Sequence, residues 1–209
     1  MTPRVVVLSS PSGAGKTTIT ERLLAARNDL GRSISATTRA PRATEQNGRD
    51  YHFLSREEFD RRERAGEFLE SASYGGHRYG TLRAEVEQLG RASRHALLLI
   101  EVAGARQVRS RLPEAVLVFV LPPSGPELVQ RLAGRNTEDR ETVRGRLRTA
   151  QQELEAVGEY DFVLVNDDLD QAVRDVAAIL DGRDDAGIGR QAAVQLAQRL
   201  RRELATAMQ

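Results

Sequence analysis

The 209-residue chain contains no cysteine, which excludes a disulfide scaffold and thiolate-ligated zinc and agrees with a reducing compartment. It lacks a dominant charge as well. Lys and Arg number 31 against 30 Asp and Glu, a formal net charge of +1, so bulk charge calls for neither a nucleic-acid partner nor a disordered chain. Long apolar runs are missing: the first, Val5 to Leu8, is too short for a signal peptide or a membrane span. The expectation is a soluble, cytoplasmic protein. His52, His77 and His95 are scattered, without the spacing of a metal site, and read as surface or packing residues. No internal repeat or low-complexity linker breaks the chain.

What is present is the pattern of one α/β domain with a core of its own. Four short apolar runs, Val5 to Leu8, Leu97 to Val102, Val116 to Leu121 and Phe162 to Val165, predict parallel strands covered on both faces. Helical periodicity lies between them, in Ile19, Leu23 and Ala26 and again in Val143, Leu147, Ala150, Leu154 and Val157. Alternating strands and helices predict a parallel sheet flanked by helices. Residues 33–95 break that rhythm with extended pieces at 51–54 and 68–72, and with a helix opened by Ser55 and Glu58 in a capping box. They read as an inserted α+β subdomain. From Gly187 the residues Ala193, Leu196, Leu200, Leu204 and Met208 predict an amphipathic helix, expected to pack back on the body, with a membrane-surface or partner helix as the alternative.

The stretch Ser10-Pro11-Ser12-Gly13-Ala14-Gly15-Lys16-Thr17 follows a strand and precedes a helix. That is the context of a loop whose backbone N–H groups and helix N-terminus cradle phosphates. Lysine then reaches the β- and γ-oxygens, and the next hydroxyl sits on Mg²⁺. Ser10 stands where the strict pattern has glycine. The loop predicts binding of a nucleoside triphosphate with Mg²⁺ through Thr17. Downstream, Arg39 and Arg42 flank a proline with Tyr51 beyond, and two guanidiniums so placed can clamp a second phosphate. A solvated loop remains the alternative. Glu70, Tyr79 and Thr81 follow in a Gly-rich stretch.

Five stretches in order, PSGAGKT, S-x-TTRAPR with NGRDYHF, FLE…YGGHRYGT, GRNTED…RL and VNDDLD, resemble the guanylate kinases, which move the γ-phosphoryl group of ATP to GMP. The resemblance implies a P-loop NTPase-type sheet with a GMP-binding insertion and a helical lid. It divides residues 3–182 into a core (3–32, 96–125 and 160–182), an insertion (33–95) and a lid (126–159), leaving 183–209 as a helical tail. It implies Arg39, Arg42, Tyr51 and Tyr79 on the GMP phosphate and Ser35, Glu70, Thr81 and Glu101 on guanine. Lys16, Arg39 and the lid residues Arg131, Arg135 and Arg146 are then the catalytic cations, and dGMP is a possible second acceptor. A carboxylate at 70 suits guanine because N1–H and the 2-amino group both donate to it, and adenine offers neither donor.

Two positions depart from the family pattern: Asn136 stands where glycine is usual, and Leu99 where an acid lies toward the metal. Leu99 predicts weaker metal placement. The alternatives to an active kinase are a non-catalytic binding module, a P-loop kinase for another phosphorylated substrate, and a degenerate paralogue. An intact Lys16, Thr17, Glu70 and arginine pair favours the kinase. Nothing in the sequence decides between monomer and dimer.

Overall fold

The structure, a computed structural model, describes residues 2–133 and 140–208. In chain order come β1 (Val5–Ser9), α1 (Lys16–Ala26), β2 (Leu30–Arg32), β3 (Ser35–Thr37), β4 (His52–Phe53) and α2 (Arg56–Arg64). The chain continues through β5 (Phe68–Tyr74), β6 (His77–Leu82), α3 (Arg83–Arg91), β7 (His95–Leu99), α4 (Val102–Arg111) and β8 (Val116–Leu121). It ends with α5 (Gly125–Ala133), α6 (Arg140–Glu153), a 3-10 turn (Leu154–Glu159), β9 (Phe162–Val165), α7 (Leu169–Leu180) and α8 (Arg190–Ala207).

Five strands form a sheet in the order β2-β7-β1-β8-β9, with β2 parallel to β7 and β8 parallel to β9. Every residue of β8 after Val116 is buried. That is the reason its six residues are all apolar: no face of the strand meets water. The second sheet, β4-β3-β6-β5, joins β5 and β6 through a hairpin with glycines of positive φ at 75 and 76.

The chain divides into two compact units, Met1–Val7 with Arg27–Ala115, and Leu8–Ala26 with Val116–Gln209. The first contains the smaller sheet, whose core is Ala36, Phe59, Phe68 and Leu82 with Leu54 packed against them. Phe59 and Phe68 stack with centroids 4.4 Å apart. Helix α2 delivers Phe59 to this core, and Ser55 caps it by accepting from Glu58 N at 3.1 Å. The reciprocal half of a capping box is replaced: the Glu58 carboxylate accepts from Arg61 and Arg62, which hold it down at about 2.

In the second unit α7 begins at an Asp168 cap and buries Ala172, Val176 and Ile179 at spacings of four and three. Helix α8 buries Ala193, Ala197, Leu200 and Leu204 against α5, α6, β9 and the 3-10 turn. Glu203 accepts from Gly125 N at 2.6 Å, and Gln151 donates to Arg201 O at 2.8 Å. The last helix is therefore part of its unit's core. One expectation shifts: β7 ends at Leu99, and Val102 opens α4 with Glu101 as its N-cap. An unbroken apolar run does not show where a buried strand hands over to a buried helix. Among the described residues no helix is long and apolar enough to cross a membrane.

Candidate functional site

The second unit holds the phosphate loop. It leaves β1 at Ser9, turns through an Ala14 N to Pro11 O hydrogen bond of 3.1 Å, and enters α1 at Lys16. Gly13 and Gly15 have φ of +89° and +99°, values that L side chains adopt only under strain. Ser10 has no such φ and is buried; a small residue fits there, and glycine is not required. No acid occupies the first turn of α1, so no carboxylate there offsets the positive end of the helix dipole, which favours an anion.

Three neighbours shape the loop. Asn166, buried at the end of β9, donates from Nδ2 to Ala14 O at 2.8 Å. A Cβ at Gly15 would collide with that amide, and one at Gly13 would lie 3.1 Å from Leu132 of α5. Arg146 of α6 donates to Ser12 Oγ at 2.6 Å. Arg131 pairs with Glu127 one turn earlier and lies 3.5 Å from Asn166 O. Lys16 and Thr17 stand at the start of α1, with Thr17 exposed. Among the described residues no group of three or more His, Asp or Glu could hold a metal by itself. The Thr17 hydroxyl is an oxygen donor of the kind a hard cation takes, and such a cation would need further oxygens from a ligand. Leu99, at the end of β7, has no side-chain oxygen.

The first unit holds the second cluster. The Arg39 guanidinium donates twice to Glu45, at 2.8 and 2.9 Å, and lies 5.4 Å from the Tyr51 ring. Tyr51 and Tyr79 meet edge to face with centroids 6.1 Å apart. Glu45 also accepts from Arg42 N at 2.8 Å. The bonds from Arg39, then that from Arg42, hold the Glu45 carboxyl below its usual range. Arg42 itself keeps its side chain 76% exposed. Two arginines and two tyrosines thus gather at one end of β3 and β6.

Beside them, Ser35 and Thr81 are direct partners across β3 and β6, and Thr81 opposes Glu70 on β5. Thr81 Oγ1 donates to Glu70 Oε1 at 2.8 Å. Glu70 is only 4% exposed. Burial pushes its carboxyl above the usual range and the nearby Glu101 charge adds to this, while the Thr81 bonds and the Arg111 charge oppose it. A buried carboxylate is costly to charge unless donors reach its oxygens.

A strand-to-helix anion cradle in one unit, with an arginine–tyrosine cluster beside a buried acid in the other, can be set against known proteins. The guanylate kinase family model matches residues 2–183. The chain belongs to the guanylate kinase family. It is 49% identical over 177 residues to the guanylate kinase of Rubrobacter xylanophilus, covering 85% of this chain and 93% of that protein. It is 47% identical over 176 residues to that of Neisseria gonorrhoeae, covering 84% and 86%. The crystal structure of guanylate kinase from Anaplasma phagocytophilum superposes with a TM-score of 0.69 at 33% identity, covering 87% of this chain and 86% of that one.

Within this guanylate kinase fold, the sequence-predicted residues fall into two groups. Ser10 to Thr17, Arg131 and Arg146 lie in the second unit; Ser35, Arg39, Arg42, Tyr51, Glu70, Tyr79, Thr81 and Glu101 lie in the first. Arg135 and Asn136 lie outside the described residues. Asn166 and Glu45 are the contributors that sequence reading leaves unassigned. Asn166 carries a usable signal, being the first polar residue beyond a buried parallel strand, at the end where such sheets bind ligands. Glu45 carries none, since an acid in a polar loop has no periodicity to betray its partner.

Proposed function

We propose that the chain phosphorylates GMP in two half-sites, the loop Ser10 to Thr17 holding ATP and the cluster from Ser35 to Glu101 holding GMP. As a guanylate kinase it is an ATP:GMP phosphotransferase that releases ADP and GDP. The observation that carries the residue assignments is the junction of Glu70, Thr81 and Ser35 with Arg39, Tyr51 and Tyr79 in one cluster. Such a site reads a purine with a donor edge at one end and a phosphate at the other.

In this reading the Glu70 carboxylate accepts from N1–H and the 2-amino group of guanine, with Ser35 and Thr81 hydroxyls and Glu101 around the base. Arg39 and Arg42 take the monophosphate, with donation from Tyr51 and Tyr79. At the loop, backbone amides and Lys16 hold the triphosphate, and Thr17 would hold the accompanying Mg²⁺, which would neutralise charge on the phosphate oxygens. Arg131, Arg135 and Arg146 stabilise the charge that spreads over the transferring group. The residues 126–159 act as lid, and the enzyme works in the cytoplasm. The protein supplies alignment and electrostatics and forms no covalent intermediate.

The test is ATP-dependent turnover of GMP, AMP, CMP and UMP with Mg²⁺, beside a Lys16→Ala control. GDP formed from GMP alone and lost in the control is expected. No preference among the four monophosphates would overturn the base-reading assignment. A Leu99→Asp variant measures what the absent acid costs: a lower Mg²⁺ requirement than the unaltered chain is expected.

A further inference from the structure

Strand β5 lies at the edge of its four-stranded sheet, so one row of its backbone groups has no neighbouring strand. Helix α4 takes that place. Gln107 Nε2 donates to Ser71 O at 2.8 Å, and Gln107 Oε1 accepts from Ser71 N at 3.2 Å. One side chain thereby imitates both bonds of a paired strand residue. Arg111 donates to Leu69 O at 2.8 Å and to Phe68 O at 3.4 Å. These backbone groups bracket Glu70.

They do so where the ladder slips. Phe68 opposes Leu82 and Glu70 opposes Thr81 on β6, leaving Leu69 as an extra residue. A bulge re-aims the side chains that follow it, and its unpaired carbonyls need partners. Arg111 provides them. On the same helix Gly104 faces the carboxylate, where a Cβ would lie 2.6 Å from Glu70 Oε2. Helix α4 therefore fixes the backbone on both sides of Glu70 and leaves the space its free oxygen occupies.

We propose that Gln107, seconded by Arg111, is a positioning residue for base selection, holding the bulged edge of β5 so that Glu70 meets both donors of guanine. The inference rests on the reading of Glu70 as the guanine acceptor. Two hydrogen bonds to one carboxylate demand direction as well as distance, and an edge strand held on one side only is free to shift register.

The experiment compares kcat/KM for GMP and for IMP, which lacks the 2-amino group, in the unaltered chain and in Gln107→Leu, Gln107→Glu and Glu70→Gln. Gln107→Leu is expected to raise KM for GMP about tenfold and to narrow the GMP:IMP ratio about fivefold, leaving KM for ATP unchanged. Gln107→Glu keeps the acceptor for Ser71 N and falls between. An unchanged ratio in Gln107→Leu, with a narrowed one in Glu70→Gln, overturns the positioning role and leaves the base reading standing. An unchanged ratio in Glu70→Gln overturns both. Should Gln107→Leu fail to fold, the ratio in Gln107→Glu decides alone.

Discussion

Lys16 is the single lysine of the chain, every other long basic side chain being arginine. It ends a loop whose glycines have positive φ, and its ammonium is a compact point charge for which a planar guanidinium is no equivalent. Lys16→Arg is expected to lower kcat about a hundredfold or more with KM for GMP unchanged, read by steady-state kinetics. An amine-directed acylating reagent should label this one side chain, and ATP should protect it, as peptide mass spectrometry would record. Glu70 permits a prediction on stability. Its folded pKa lies above the unfolded value because burial disfavours the charge. The sign follows: Glu70 costs nothing extra while protonated, and stability is lost as pH rises from the ordinary carboxylate range through the raised folded value. Glu70→Gln is therefore expected to melt higher than the unaltered chain at neutral pH, the gap closing on acidification. The same variant should lose roughly a hundredfold or more in kcat/KM for GMP. A variant that melts lower at neutral pH would overturn the account.

Among the elements, the strand-loop-helix unit depends on a residue far along the chain. Asn166 holds Ala14 O from the end of β9, and it also fills the space beside Gly15. Asn166→Ala leaves that buried carbonyl without its donor, a loss on the order of 1–3 kcal/mol. The expected result is a several-fold rise in KM for ATP and no change in KM for GMP. Gly15→Ala should do more harm, since it meets both a positive φ and the Asn166 amide. Equal effects on the two KM values would show that the loop and the GMP cluster are not separately supported. The smaller sheet argues the same point from the other direction. Ser55 was legible as the cap of α2 because it rests on local spacing. The bulge at Leu69 was not, because it exists only in the register of β5 against β6.

Across the molecule, the closing helix packs into the core of its unit, as its apolar period predicts. Leu200 of α8 is fully buried, and truncating such a side chain costs about 2–5 kcal/mol. Leu200→Ala should lower Tm by roughly 5–15 °C, measured calorimetrically, with base selectivity untouched because the proposed GMP residues lie in the other unit. A Tm unchanged by this substitution would mean that the helix is dispensable to its unit. By itself the sequence determined the strand-helix alternation and the glycine-rich loop between β1 and α1. Each of these is written in local spacing: apolar runs, helical periods, and glycines beside a lysine and a hydroxyl. Tertiary structure alone decided what touches what. It brought Asn166 to Ala14 and Gln107 to Ser71, set Glu45 between two arginines, and buried Glu70 until its charge became costly. Contacts between residues distant in the chain, and the desolvation that follows from burial, leave no periodic trace in the residues that make them.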